Sequence, residues 1–231
     1  MKKERALEII MMVKRGYDDV AADFDATRKK ALWPDIYKFA ADIKTGDRVL
    51  DVACGNGRIL EALKDKDFKY LGVDNSEELL TLARQNYPEN TFLFSDMLDL
   101  KNIPDGEFNQ VFCLAALQHI PSRDLRIKAL KNMNLKMTNN GRLIVSNWNL
   151  WTKKSFRFQL IKRYFLRIFG FYQDDWNDLF FPWKDSSGKN KTLRYYHAFT
   201  GKELKKLTTI SGFKIKSFYK DKYNFWLELV K

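Results

Sequence analysis

The chain has 231 residues, 45% of them hydrophobic and 15% aromatic, enough for one large core and, by length, one domain with additions instead of two. Its two cysteines, Cys54 and Cys113, stand far apart in apolar or Gly-rich runs, which excludes a disulfide framework or a cysteine metal site and fits a reducing cytoplasm. The net charge is +12, and +11 of it falls in residues 151–231, where 18 Lys and Arg face 7 Asp and Glu; this points either to a polyanion or acidic surface near that end, or to a solvated face that aids solubility.

Residues 1–43 read as helical. ALEIIMMV (6–13) carries Glu8, lacks a cleavage site after it and is far too short to span a membrane, so a cytoplasmic protein with no membrane partner is expected. YDDVAADF (17–24) and PDIYKFAADI (34–43) follow as amphipathic pieces. Then apolar β-type runs alternate with helix-length segments: RVLDV (48–52), YLGV (70–73), TFLFS (91–95), QVFCL (110–114) and RLIVSN (142–147). Helical patterns such as 76–87 and 123–136 lie between them. Apolar strands spaced by helices predict a mostly parallel sheet covered on both faces.

Residues 148–192 interrupt this alternation with a basic, aromatic stretch. An insertion there would lie over the carboxyl ends of the strands, where open α/β sheets bind ligands. Within it Phe158, Ile161, Phe165 and Ile168 recur at helical spacing, so that side is expected to face the core, with stacking or membrane-surface attachment as the other readings. Further on, Thr200 and Glu203 have capping-box spacing, Phe199 and Leu204 staple spacing, and Gly212 ends the helix. The segments 213–219 and 224–230 alternate strictly and predict a closing hairpin, for seven strands in all.

VLDVACGNGRIL (49–60) is the sharpest local signal: a strand carrying Asp51, a tight turn at Gly55 and Gly57, then a predicted helix. Such a turn lets the backbone approach a ligand, and a helix start offers free N–H groups. Leu60 stands where a dinucleotide fingerprint needs a small residue. Asp74, nineteen residues after Gly55, and Asp96 end the second and third strands; the first can take ribose hydroxyls and the second an adenine amino group. Singly, each has a structural reading as a turn or helix cap, and 75–78 is itself a candidate capping box. Three such strand ends in consecutive βα units point to a nucleoside-containing cofactor.

These residues resemble the class I S-adenosylmethionine-dependent methyltransferases. Asp51, Gly55 and Gly57 match that family's D-x-x-x-G-x-G turn, Asp74 its ribose acid, and Asp96 and Met97 its adenine-edge pair. The resemblance implies a Rossmann-like α/β fold of seven strands with an antiparallel last strand, and one domain over residues 1–231, with an N-terminal helical cap at 1–43 and the insertion at 148–192. It also implies S-adenosylmethionine as cofactor, held by Tyr17, Arg28, Asp51, Ala53, Gly55, Asn56, Gly57, Asp74, Asn75, Asp96, Met97 and Ala115, with no metal. Arg28 would take the cofactor's carboxylate, and LAALQHI (114–120) would lie beside the reactive methyl.

The run 17–34 further resembles the opening of the tRNA wobble-uridine carboxymethyl methyltransferases, relatives of the methyltransferase domain fused to an AlkB-type tRNA hydroxylase. Tyr17, Asp18, Ala21, Phe24, Thr27, Arg28, Trp33 and Pro34 match, with one extra residue before Trp33, and the P-W and R-Y-Y-H segments of that family are present at 182–183 and 194–197. Its paired histidines stand here as Gln118-His119, and its G-E-L as 201-GKEL-204. This implies esterification of a carboxymethyl-type group on tRNA, and a small zinc-binding activator subunit of the kind found with eukaryotic relatives. A carboxylate acceptor is already ionised at neutral pH and needs alignment instead of a general base. Substrate positioning then falls to His119, Trp183, Arg194, Tyr195, Tyr196 and His197, and phosphate contacts to Lys153, Lys154, Arg157, Lys162, Arg163 and Arg167. His119 also has a reading as a hydrogen-bonded structural residue. A small-molecule O- or N-methyltransferase and a non-catalytic RNA-binding scaffold are the alternatives.

Overall fold

A computed structural model describes residues 1–27, 31–169, 174–184 and 189–231. Its centre is a seven-stranded sheet of order β3-β2-β1-β4-β5-β9-β8. The strands are β1 (Asp47–Val52), β2 (Phe68–Asp74), β3 (Thr91–Phe94), β4 (Phe108–Leu114), β5 (Met137–Trp148), β8 (Lys214–Lys220) and β9 (Asn224–Val230). β1 to β5 run parallel, and β9 is antiparallel to both neighbours. The seven-stranded sheet and its antiparallel last strand agree with the expectation, while two further strands outside the sheet exceed the seven foreseen in all, and β9 is inserted between β5 and β8 instead of forming the edge.

Strand periodicity explains how one sheet serves two cores. On β5, Leu143 and Val145 point to the side of α5 (Arg123–Lys136) and α7 (Gly201–Ile210), while Ile144 points to the side of α3 (Pro34–Ala41) and α4 (Glu77–Asn86). On β9, Leu227 and Leu229 take the first side and Trp226 the second. Successive side chains alternate between faces, so strands buried on both sides read as continuous apolar runs. The helices start where the sequence supplies caps: Ser76 accepts from Leu79 N, Ser122 from Leu125 N and Thr200 from Glu203 N. Ser76, one position after the expected Asn75, opens α4.

Two expectations fail. After Gly57 there is a 3₁₀ segment, Arg58–Ala62, continued by single i+3 turns at Leu63 and Lys66, not an α-helix. The insertion is also more organised than foreseen. It holds a 3₁₀ turn at Leu150–Thr152, α6 (Lys154–Ile168) and an antiparallel ribbon of β6 (Asp178–Lys184) with β7 (Asn190–His197). Its small core gathers Leu150, Leu160, Leu179, Tyr196 and Ala198. α6 turns Leu160 inward and leaves Phe158, Ile161, Phe165 and Ile168 55–70% exposed, so the side expected to face the core faces outward. Periodicity identifies a face without saying which way it points.

The N-terminal region forms α1 (Lys3–Asp19), α2 (Ala21–Thr27) and α3. α1 lies along β7 closely enough that a Cβ on Gly16 would sit 3.1 Å from Thr192 Oγ1. Among the described residues no helix is long and apolar enough to cross a membrane.

Candidate cofactor and acceptor site

The sheet changes winding direction between β1 and β4, and a cavity of about 350 Å³ opens at the carboxyl ends of these strands. That is where an open α/β sheet leaves a crevice. Its floor is made by two non-glycine residues of positive φ, Ala53 (61°) after β1 and Ala115 (52°) after β4. Ala115 N donates to Ser146 O at 2.9 Å and Ala53 is followed by Cys54 N donating to Val73 O at 3.0 Å, so each turn is tied to the neighbouring strand. Gly55 (φ 57°) and Gly57 (φ 76°) complete the first turn.

The acids sit together along one side. Asp74 accepts from Gly55 N at 2.8 Å and Ser76 N at 2.9 Å, and Asp51 accepts from the Tyr70 hydroxyl at 3.0 Å. Burial pushes the Asp51 carboxyl up to about 7, against the Tyr70 hydrogen bond and aided by the Asp74 charge. Burial likewise lifts Asp74 to about 6, held back by the backbone N–H groups of Gly55, Ser76 and Asn75. Among the described residues neither acid has an ion-pair partner. Asp96 accepts from Asn75 Nδ2 at 3.1 Å and Leu98 N at 2.8 Å.

The opposite side is aromatic and neutral or basic. The Tyr17 hydroxyl, brought by α1, lies 2.9 Å from His119 Nε2, and His119 Nδ1 lies 3.1 Å from Tyr195 O. Burial first, then the nearby Arg194 charge, lowers the His119 ring to about 4 against the carbonyls of Tyr195 and Ala115. Tyr196 stacks on Trp148 at 5.2 Å. Gln118 donates to Ala115 O and accepts from Trp148 N at 2.8 Å; it ties the β4 turn to the end of β5. The cap is pinned by Ser76 Oγ donating to Asp18 at 2.6 Å and Asn56 Nδ2 donating to Asp25 at 2.8 Å.

Of the residues named from sequence, Tyr17, Asp51, Ala53, Gly55, Asn56, Asp74, Asn75, Asp96, Met97, Ala115, His119 and Tyr196 lie on the cavity wall. Trp183, Arg194 and Tyr195 line a small recess behind Tyr17 and His119. Arg194 places its guanidinium 3.3 Å from the centre of the Trp183 ring. Arg28 lies outside the described residues. Tyr195 and His197 are drawn into a buried network instead of the cavity. Arg126 Nη2 donates to the Tyr195 hydroxyl at 3.1 Å, that hydroxyl donates to Asp178 at 2.7 Å, and His197 is flanked by Asp178 and Glu203 at 2.8 Å each. Asp175, Asp178 and His197 lie close enough to share a metal ion, but the Arg126 guanidinium already stands among them, 3.3 Å from Asp175 and 3.6 Å from Asp178. Ile120 lines the cavity as part of the 114–120 segment, while Trp148, Ser95 and Leu79 also line it and were missed; the positions of Ser95 at the end of one predicted strand and of Trp148 directly after another were the available signal.

The cavity suits a cofactor carrying a ribose and a cation. Buried acids lacking a cationic partner accept hydroxyl or ammonium donors, and Asn56 Oδ1 is a buried acceptor with no hydrogen-bond partner among the described residues. Residues 49–141 match a protein family described as a methyltransferase domain. The chain overlays a S-adenosylmethionine-dependent methyltransferase of Methanosarcina mazei with a TM-score of 0.68 and 22% identity, covering 87% of this chain and 99% of that one. It overlays a methyltransferase from Haloferax volcanii, solved in complex with the Trm112 methyltransferase activator, with a TM-score of 0.65 and 15% identity over 94% and 96% of the two chains. Residues 49–141 thus carry a methyltransferase domain, and the chain has the Rossmann-like fold of the S-adenosylmethionine-dependent methyltransferases.

Among curated relatives it is similar to the tRNA (carboxymethyluridine(34)-5-O)-methyltransferase of Schizosaccharomyces pombe, 25% identical over 93% of this chain and 94% of that enzyme. The corresponding Xenopus tropicalis enzyme is 32% identical over 60% of this chain, which spans only 21% of its length.

Proposed function

We propose that the chain esterifies a carboxymethyl-type group on the wobble uridine of tRNA. The observation that carries this reading is the likeness to the fission yeast enzyme along nearly the whole of both chains. S-adenosylmethionine supplies an electrophilic methyl group on a sulfonium. In this reading Asp74 holds the ribose hydroxyls, Asp96 and Met97 the adenine edge, and Asp51, Asn56 and the backbone of Ala53 to Gly57 the amino-acid end. Ala115 and Tyr17 border the methyl, and Arg28 remains the choice for the cofactor's carboxylate.

The division of the cavity supports an anionic acceptor on the His119 side. Asp51, Asp74 and Asp96 repel a carboxylate from their own side, and an ionised carboxylate leaves nothing for a general base to do. The surrounding residues contribute orientation and exclusion of water. The basic insertion is the docking surface for tRNA phosphates in this reading, and a small activator subunit is the proposed protein partner, as in the Haloferax complex. Zinc in that subunit is part of the proposal.

A small-molecule acceptor is the second reading. It is favoured by the burial of Tyr195 and Trp183, which removes two of the flat faces that base stacking would use. Incubation with cofactor labelled in the methyl group and total tRNA decides between them. Label on the wobble nucleoside that is lost in mild alkali is expected; no transfer, or alkali-stable label, would overturn the ester.

A further inference from the structure

We propose that His119 is a proton-linked positioning residue that takes up one proton from solvent when an anionic acceptor binds beside Tyr17. The proposal rests on the carboxylate reading above and adds to it the protonation state in which the acceptor is held.

Hydrogen-bond geometry carries it. A carbonyl oxygen only accepts, so the 3.1 Å contact with Tyr195 O fixes the His119 proton on Nδ1. The Nε2 lone pair is then the acceptor for the Tyr17 hydroxyl 2.9 Å away. In this state the single Tyr17 proton is committed to His119, and neither group can donate to an anion. Within the Tyr17–His119 pair, a carboxylate arriving here finds one proton shared among three acceptors: its own oxygen, the Tyr17 oxygen and Nε2. The tautomer cannot switch to relieve this, because Nδ1 would then present a lone pair to the Tyr195 carbonyl.

Protonation of Nε2 resolves the conflict. The imidazolium donates to the Tyr17 oxygen, and the Tyr17 hydroxyl turns to the carboxylate. Once the acceptor has become an uncharged ester, Nε2 returns its proton to solvent and the Tyr17 hydroxyl swings back. No covalent bond other than N–H is made or broken at His119.

The surroundings set the size of the linkage. Tyr17 faces the ring from α1, while Arg194, the Tyr195 carbonyl and the Tyr196 ring face it from β7. The Ala115 carbonyl reaches it from the turn after β4, and Trp183 lies across the shared recess from β6. Among the described residues no carboxylate pairs with it, so the free ring stays neutral, near 4. A bound carboxylate supplies the missing negative charge and raises it.

The test uses two anticodon stem–loop RNAs, one carrying 5-carboxymethyluridine at the wobble position and one its uncharged amide. Each is titrated calorimetrically into the protein with S-adenosylhomocysteine present, in buffers of different ionisation heat and from pH 5.5 to 8.5. The acid RNA is expected to bind with uptake of about one proton, and to lose about tenfold in affinity per pH unit until the pH passes the value of His119 in the complex. The amide RNA should show neither effect. His119→Asn should remove the difference in slope, while the comparison of acid with amide in the unaltered protein does not depend on that variant folding. Equal proton uptake for the two RNAs would overturn the proposal. If the acid RNA were then still methylated, the carboxylate reading would stand without it; if neither RNA bound or was methylated, both would fall.

Discussion

The Tyr70 hydroxyl donates to Asp51 Oδ2 at 3.0 Å across the paired strands β1 and β2, with both groups buried. This bond does not offset the cost of burying Asp51, whose carboxyl stands at about 7. A value raised above the unfolded 3.8 means the folded state holds the proton more tightly. The stability involved is complete below about 3.8 and is lost as pH rises through about 7. Asp51→Asn keeps an acceptor for Tyr70 and removes the titration. Without ligand, the variant should therefore gain on the wild type between pH 4 and 7, by on the order of 1.4 kcal/mol per pH unit, while binding S-adenosylhomocysteine at least about tenfold more weakly. Thermal midpoints that run parallel over this range would refute the assignment.

Gly72 sits where a side chain has no room: an added Cβ would lie 2.7 Å from Phe92 Cδ1 and 3.0 Å from Cys54 Sγ. Gly72→Ala should cost about 1–3 kcal/mol in urea denaturation by overpacking. Adding Phe92→Leu should return part of that loss, because the two positions are in contact.

Arg126 is 1% exposed and neutralises a group that includes Asp178, which is fully buried. Burial raises the Glu203 carboxyl, but the His197 hydrogen bond and the charges of His197 and Arg126 outweigh it and leave the group below its ordinary range. Arg126→Met should cost about 3–5 kcal/mol by stranding Asp178, and Asp178→Asn in the same chain should recover part of it. Because this network stands behind the cavity, KM for the cofactor in the folded fraction should stay unchanged. A large rise in KM would place the network at the ligand instead.

On α6 the sequence pattern and the structure give opposite forecasts. Ile161→Ser and Phe165→Ser should each change stability by no more than about 0.5 kcal/mol, whereas Leu160→Ala should cost about 2–5 kcal/mol. Equal losses at Phe165 and Leu160 would show that the outward face is covered.

The main sheet was readable because its signals are local: apolar runs of strand length, the cap at Thr200, and Gly212 after α7. Asp51, Asp74 and Asp96 were readable for the same reason, since a strand end and its turn are neighbours in sequence. The contact of Tyr17 with His119 joins residues 102 positions apart, and no local pattern encodes it. Tyr195 and His197 carry the chemistry of a binding site, but their fate is decided by Arg126 and Asp178, which the sequence places elsewhere. The ribbon of β6 and β7 was hidden because Pro182, which lacks an N–H, weakens the strand pattern of DLFFPWK.

The place of β9 bears on how the chain acquires its shape during synthesis. β9 is the last of the described elements to be made, yet β5 and β8 pair only through it, and Trp226 at its centre packs against Trp33 and Phe39 of the N-terminal region. Trp33 and Phe39, which precede every strand in sequence, thus have part of their packing partner withheld until β9 is made. From the making of β5 until that of β9, this edge of β5 is open and apolar, the kind of edge that invites pairing with another chain.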